Sequence, residues 1–227
     1  MIRGVVLSHT EMGTHGFCTN VGVRDGSNWV QWRLHAVGNR SLWYSDMNYT
    51  IECMKRDWQP GHWVDLPHCI PVASADRRVT HPEDVIIAPK EIQLYSTTAT
   101  LTEFRAIAET MAFDSVATLF PEAVAASGKW YVPDGVSVQR SVGYVRATNC
   151  VIYEDWGKKR LRFTDSSGLE YDGPFKGVAL LNTIANGHLW TGNLLIRLAL
   201  AGPFTSESWA HSEHPRRCCG MVSHILE

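Results

Sequence analysis

Short apolar runs separated by turn-forming residues fill the first 95 residues: Gly4–Leu7, Phe17–Val23, Trp29–Leu34, Trp63–Leu66 and Val85–Ile87. Runs of this length at hairpin spacing are strand signals. Asp25-Gly26-Ser27-Asn28 supplies residues that tolerate a left-handed backbone and bond it locally, so residues 16–34 are expected to form one hairpin. From Thr100 the period changes. Leu101, Phe104, Ile107, Ala108 and Met111 line one helical face, and Thr100 with Glu103 makes a capping-box pattern. A second short helix is expected over Ser115–Ala126, with Pro121 either starting its later half or breaking it. After Pro133-Asp134-Gly135, strand patterns return at Ser141–Tyr153, Lys159–Thr164, Leu169–Asp172, Leu194–Leu200 and Cys219–Leu226. Asp165-Ser166-Ser167-Gly168 reads as the hairpin turn between the second and third of these.

Each β-rich half holds about five strand candidates, the strand number of a five-stranded Greek-key barrel. The expected fold class is therefore mainly β: two OB-like small β-barrels joined by a short helical insert. The expected domains are a first barrel at 1–98, a helical connector at 99–135 and a second barrel at 136–227. A chain of 227 residues with 44% hydrophobic residues can bury a sizeable core without covalent staples.

The formal net charge of -2 excludes a chain that coats nucleic acid by bulk charge, so any contact with phosphates has to be local. No apolar run approaches the ~20 residues of a spanning helix, so no membrane is expected as a partner. The opening segment offers only Val5, Val6 and Leu7 before polar residues, too short for a signal-peptide apolar region, and a cytoplasmic protein is expected. The six cysteines are irregularly spaced and are expected as thiols.

Several segments together resemble the bacterial dual OB-containing domain family. They are the opening strand Gly4–Ser8, the loop ending in Gly16-Phe17-Cys18, the Trp29-Val30-Gln31-Trp32-Arg33 strand and the His81-Pro82-Glu83-Asp84 turn. In the second half the matching order continues through Ser141–Arg146, Tyr171-Asp172-Gly173-Pro174, Leu198–Phe204 and Cys218–Leu226. The arginine-proline pair usual after the family's tryptophan strand is not reproduced. The resemblance implies two OB barrels and a connection to nucleic acid, within bacterial systems that modify or defend DNA.

Candidate chemistry gathers in three places. Trp29, Trp32, Trp43, Tyr44, Trp58 and Trp63 lie close in sequence with Arg24, Arg33, Arg40, Lys55 and Arg56 among them, a composition that can stack bases and meet phosphates. The alternative is that the rings fill and plug a small barrel. Strand alternation turns Trp29, Gln31 and Arg33 one way and Val30, Trp32 and Leu34 the other. Trp32 is then the core ring, and Trp29 with Arg33, followed by Trp43 and Tyr44, the ligand-facing set. A second basic group, Lys158, Lys159, Arg160 and Arg162, puts Arg160 and Arg162 on one strand face, where they either follow a nucleic-acid backbone or solvate a strand edge. Near the C-terminus, His211, His214, Cys218 and Cys219 are zinc-type donors, although adjacent cysteines on a strand point to opposite faces and lack the usual separated-pair spacing.

For covalent or acid-base work, Cys18 follows a loop bearing His9, Glu11 and His15 that would favour its thiolate. Glu83, His35 and His224 are the proton-transfer candidates. No phosphate-cradling glycine loop, dinucleotide fingerprint, H-E-x-x-H or G-x-S-x-G occurs, so nucleotide hydrolysis, hydride transfer and ordinary esterase chemistry are not expected.

Two readings follow. In the first, size and layout resemble the hydratase component of a DNA 7-deazaguanine modification system, which would hydrate the nitrile of 7-cyano-7-deazaguanine in DNA to the amide, with no cofactor required and zinc a candidate at the His/Cys group. In the alternative, the chain is a non-catalytic dual-OB module that holds modified or single-stranded DNA for partner proteins of such a system.

Overall fold

The computed structural model describes residues 1–12, 16–36, 40–46, 56–72, 81–126, 128–177 and 184–227. Two compact units emerge, the first built mainly of Met1–Arg77 and Glu83–Met111, the second mainly of Ala112–Lys176 and Thr183–Glu227.

In the first unit, β1 (Ile2–Met12), β2 (Gly16–Asp25) and β3 (Asn28–Ala36) form an antiparallel meander. The β2–β3 turn passes through Gly26 at φ 61°, at the place its turn residues mark. β4 (Arg40–Trp43) folds back onto β2 and β3. β5 (His62–Leu66) pairs antiparallel with β1, and β6 (Ile70–Pro71) continues it across Pro67–Cys69 to pair with β7 (Asp84–Ile86). β7 runs parallel to β3, which closes the ring β1-β2-β3-β7-β6/β5. β8 (Gln93–Thr98) adds outside β5. Val6, Phe17, Val21, Leu34, Leu42, Trp58, Val64 and Leu66 fill the interior, with Trp32 packed against them.

The helix α1 (Leu101–Glu109) starts at the expected capping box, with Thr100 and Glu103 bonding reciprocally, and buries Phe104, Ile107 and Ala108. The second helix is shorter than its pattern suggests: α2 (Val116–Leu119) ends at Phe120, whose backbone leaves the helical region at ψ 76°. Pro121 is the cause, because its ring clashes with a helical conformation in the residue before it. The region read as a helical connector also holds three strands: β9 (Ala112–Phe113), β10 (Val124–Ala126) and β11 (Lys129–Pro133), the last two joined through Gly128 at φ 77°.

The second unit repeats the plan. β12 (Val142–Asp155), β13 (Lys158–Asp165) and β14 (Glu170–Pro174) form the meander. β15 (Leu189–Leu200) pairs with β12 and with β17 (Arg216–Leu226), while the short β16 (Phe204–Thr205) and β11 lie on β17. A parallel bridge from Phe175 to Val222 joins the end of β14 to β17, and the Lys176 amide donates to the Val222 carbonyl at 2.8 Å. The ring β12-β13-β14-β17-β15 is thereby closed, around Ile152, Leu161, Phe163, Leu198 and Val222. Both first strands carry a register irregularity, at Val6/Ser8 in β1 and at Ala147/Asn149 in β12, the local bend that lets one long strand pair on two sides of a barrel. A three-strand meander, a fourth strand back on the first and a fifth parallel to the third make each unit an OB-like barrel. Among the described residues, no helix is long and apolar enough to cross a membrane.

Candidate nucleic-acid interface

In the first barrel the expected ligand-facing arginine lies on the face opposite the core residue Leu34 but is buried there against a carboxylate. Parallel pairing sets Arg33 beside Asp84, and the guanidinium forks onto that carboxylate with Nε at 2.5 Å and Nη2 at 2.8 Å. His35, two residues on and so on the same face, places Nε2 3.2 Å from Asp84 Oδ1. Burial pushes the Asp84 carboxyl up, but the hydrogen bonds from His35 and Arg33 outweigh it and hold the group at about 2. Arg33 and Asp84 are both buried, so Arg33 does not present its charge to a phosphate. Trp29 is half-buried with its ring centroid 6.5 Å from that of Trp63 and the Arg24 guanidinium 5.1 Å away. Trp58 is wholly buried. Trp43 closes β4 opposite Gly16, and Tyr44 opens the short 3-10 turn Tyr44–Asp46.

Among the described residues of the first unit, Cys18 and the bases read as its partners are not brought to one face. Cys18 pairs with Thr10 across the β1–β2 ladder, and His9 with Thr19. The His9 ring lies 3.0 Å from Thr19 Oγ1 and 4.9 Å from Phe17, so it occupies the face of Phe17 and Thr19. Cys18 points to the other face, where Asn20 Nδ2 stands 3.8 Å from its sulfur. Alternation therefore separates the thiol from the base proposed to activate it. His15 lies outside the described residues. His35 is committed to Asp84. Glu83 is half-buried at the entry to β7, its backbone carbonyl accepting from the Arg33 amide. His224 belongs to β17 in the other unit, where burial, then the charge of Arg197, lowers its imidazole to about 4.

The zinc-type donors diverge as well. Cys218 is buried opposite Val132, and Cys219 stands opposite Tyr131 with its thiol raised chiefly by burial, which opposes the thiolate that zinc requires. His211 is exposed, and His214 lies edge-on to Tyr131 at 6.1 Å. Among the described residues, no group of three or more His, Cys, Asp or Glu side chains is arranged to hold a metal ion. Among the described cysteines, Cys18, Cys69, Cys150, Cys218 and Cys219, no two are joined to each other by a disulfide.

The second barrel is different. Pairing brings Tyr153 opposite Arg160 and Arg162 opposite Asp172, so these side chains share the outer face of β12–β14. The Tyr153 hydroxyl donates to Asp172, and Arg160 bonds the same carboxylate at 2.9 Å. That fixes Tyr153 as a platform. The Arg162 guanidinium lies 5.3 Å from the Tyr153 ring centroid, with its side chain 48% exposed and only a 3.7 Å contact to the exposed Glu170, a weak surface pair. Arg160 and Arg162 therefore share a face as expected, but Arg160 positions the tyrosine while Arg162 is the open cation.

Two features escaped the sequence reading. At the start of β17, Arg217 is sandwiched by Tyr131 at 4.1 Å and Trp209 at 4.7 Å, and its Nε donates to the His214 carbonyl at 2.6 Å. Phe204, 47% exposed, lies 4.9 Å from Trp209. At the β12–β13 turn, Trp156 is 94% exposed with φ 51°, followed by Gly157 at φ 68°. Positive φ at both central residues is the type I′ hairpin turn, which favours Asn-Gly. A bulky L-residue there costs about 1–2 kcal/mol. The available signal was Asp155-Trp156-Gly157-Lys158 between two strand patterns, a turn pattern with an aromatic ring where a small polar residue is usual.

No family model matches the chain, and no curated protein does. Among solved structures it is similar to the p204 HINb domain, at 9% identity and TM-score 0.37 over 99% of this chain and 94% of that one. It is also similar to the Ifi202 HINa domain in complex with 20bp dsDNA, at 6% identity and TM-score 0.36 over 98% and 90%. A murine DNA binding protein bound with ds DNA is a third, at 8% identity and TM-score 0.31 over 99% and 97%. At these TM-scores the likenesses carry no argument about this chain.

Proposed function

We propose that this chain is a dual-OB nucleic-acid-binding protein that holds a DNA strand on its second barrel and leaves base chemistry to a partner enzyme of a DNA-modification system. The observation that carries this reading is the outer face of β12–β14, where Arg160 and Asp172 fix Tyr153 as a platform beneath the exposed Arg162. Five-stranded Greek-key barrels take oligonucleotides on the second- and third-strand face and on the loops after the first and fourth strands. Here those positions are β13–β14, the Trp156 turn and the segment carrying Phe204 and Trp209, which ends at Arg216, the first residue of β17, a half-exposed cation 3.3 Å from Asp134. Hydrating a base-borne nitrile would require a thiolate and an acid at one carbon-nitrogen bond, whereas Cys18 stands on the strand face opposite His9 and His35 is held by Asp84.

The test is fluorescence anisotropy of a labelled oligonucleotide over a salt series. Arg162→Ala with Arg216→Ala should lower the log-log salt slope by about 1.4, two single-strand phosphate contacts. A chain that binds no DNA, or an unchanged slope in the double variant, overturns the proposal. Incubation with DNA bearing 7-cyano-7-deazaguanine should yield no amide on nucleoside mass analysis, and its appearance would restore the enzyme reading.

A further inference from the structure

The β12–β13 arm extends to a tip whose indole is 94% exposed. We infer that Trp156 is a stacking residue for an unpaired nucleobase, and that the strand held by the second barrel is single-stranded. This rests on the nucleic-acid reading and narrows it. The turn closes at φ 51° and 68°, a geometry that glycine or asparagine adopts freely and tryptophan adopts with strain. Packing does not offset that strain, because a ring this exposed buries almost nothing against its own chain. Its use lies outside the protein.

Charge identifies the occupant. Around the tip, Glu154 pairs across the ladder with Lys159 and Asp155 with Lys158, and Arg160 and Arg162 follow along the same arm. Lys159 Nζ bonds the Ile184 carbonyl at 2.8 Å and Arg160 bonds Asp172. Lys158 is exposed and Arg162 half-exposed, so the cations most open to solvent lie just behind the ring. A flat aromatic face followed by cations along one arm matches a base followed by its phosphates. In a duplex, each base is already stacked on both sides and paired at its edge, so a ring presented from outside reaches only unpaired or terminal bases.

The experiment compares full-length wild type with Trp156→Asn and Trp156→Phe, using a fluorescein-labelled oligothymidine and a duplex of equal length. Trp156→Asn should weaken single-strand binding about tenfold with an unchanged salt slope, leave duplex binding unaffected and raise the thermal midpoint. Trp156→Phe should keep most of the single-strand affinity. An oligonucleotide carrying 2-aminopurine should be quenched by wild type and not by Trp156→Asn. Wild-type affinity in Trp156→Asn, equal losses for duplex and single strand, or a wild-type dimer that sedimentation shows dissociating in Trp156→Asn would each overturn the inference while the broader reading stands. Absence of any nucleic-acid binding by wild type would instead end the broader reading itself.

Discussion

Asp84 shows how much one residue can decide. It receives both arms of the Arg33 guanidinium and lies beside His35, and this turns an apparent ligand contact into a structural one. Asp84→Asn should cost about 3–5 kcal/mol, because it leaves Arg33 buried without its counter-charge, and urea denaturation would measure it. Strand alternation legibly grouped Trp29 with Arg33. It did not reveal that β7, 51 residues along the chain, would lie parallel to β3 with a carboxylate in register. The same gap explains Cys18 and His9. They are near in sequence, but only the β1–β2 register shows that they point to opposite faces.

At the scale of elements, local chemistry was readable. The Thr100–Glu103 box started α1, the Asp25–Asn28 turn made the β2–β3 hairpin, and Pro121 stopped α2 one turn after it began. Less readable was how closely elements approach. Trp130 on β11 stacks on Phe120 at 5.1 Å and lies so flat over Gly220 on β17 that a β-carbon there would sit 2.0 Å from the indole. Gly220→Ala should therefore destabilise by about 1–3 kcal/mol through overpacking, seen as a lower thermal midpoint. A glycine inside a strand pattern signals such an approach, but sequence does not name the ring that uses it. The Trp156 turn is the opposite case. Its location was legible, while its exposed indole became informative only once the ring was seen to have almost no protein around it.

For the whole molecule, the two barrels should respond to acid in different ranges. His224 has its imidazole lowered from 6.5 to about 4. The unfolded chain therefore binds that proton first, and the second unit loses stability as pH falls from 6.5 towards 4. Asp84 has its carboxyl lowered from 3.8 to about 2, so its contribution to the first unit persists above pH 4 and is lost only between about 4 and 2. Amide exchange followed by fragment mass should show β15 and β17 losing protection before β3 and β7, by roughly 2 kcal/mol at pH 4.5, and His224→Gln should remove the earlier loss. The two-barrel plan was legible from strand count and turn spacing. The parallel seams were not, since each joins segments distant in sequence.

One of those seams has a biosynthetic consequence. β17 holds β15, β11 and β16 and meets Phe175 beyond β14, yet it is translated after all of them. Until it arrives, β15 and the end of β14 present unsatisfied backbone to the nascent chain's neighbours, the condition under which translating polypeptides misassociate. A ribosome stalled before Arg216 should therefore carry a second half that chaperones capture and proteases cut, and synthesis of the eleven residues of β17 should end both.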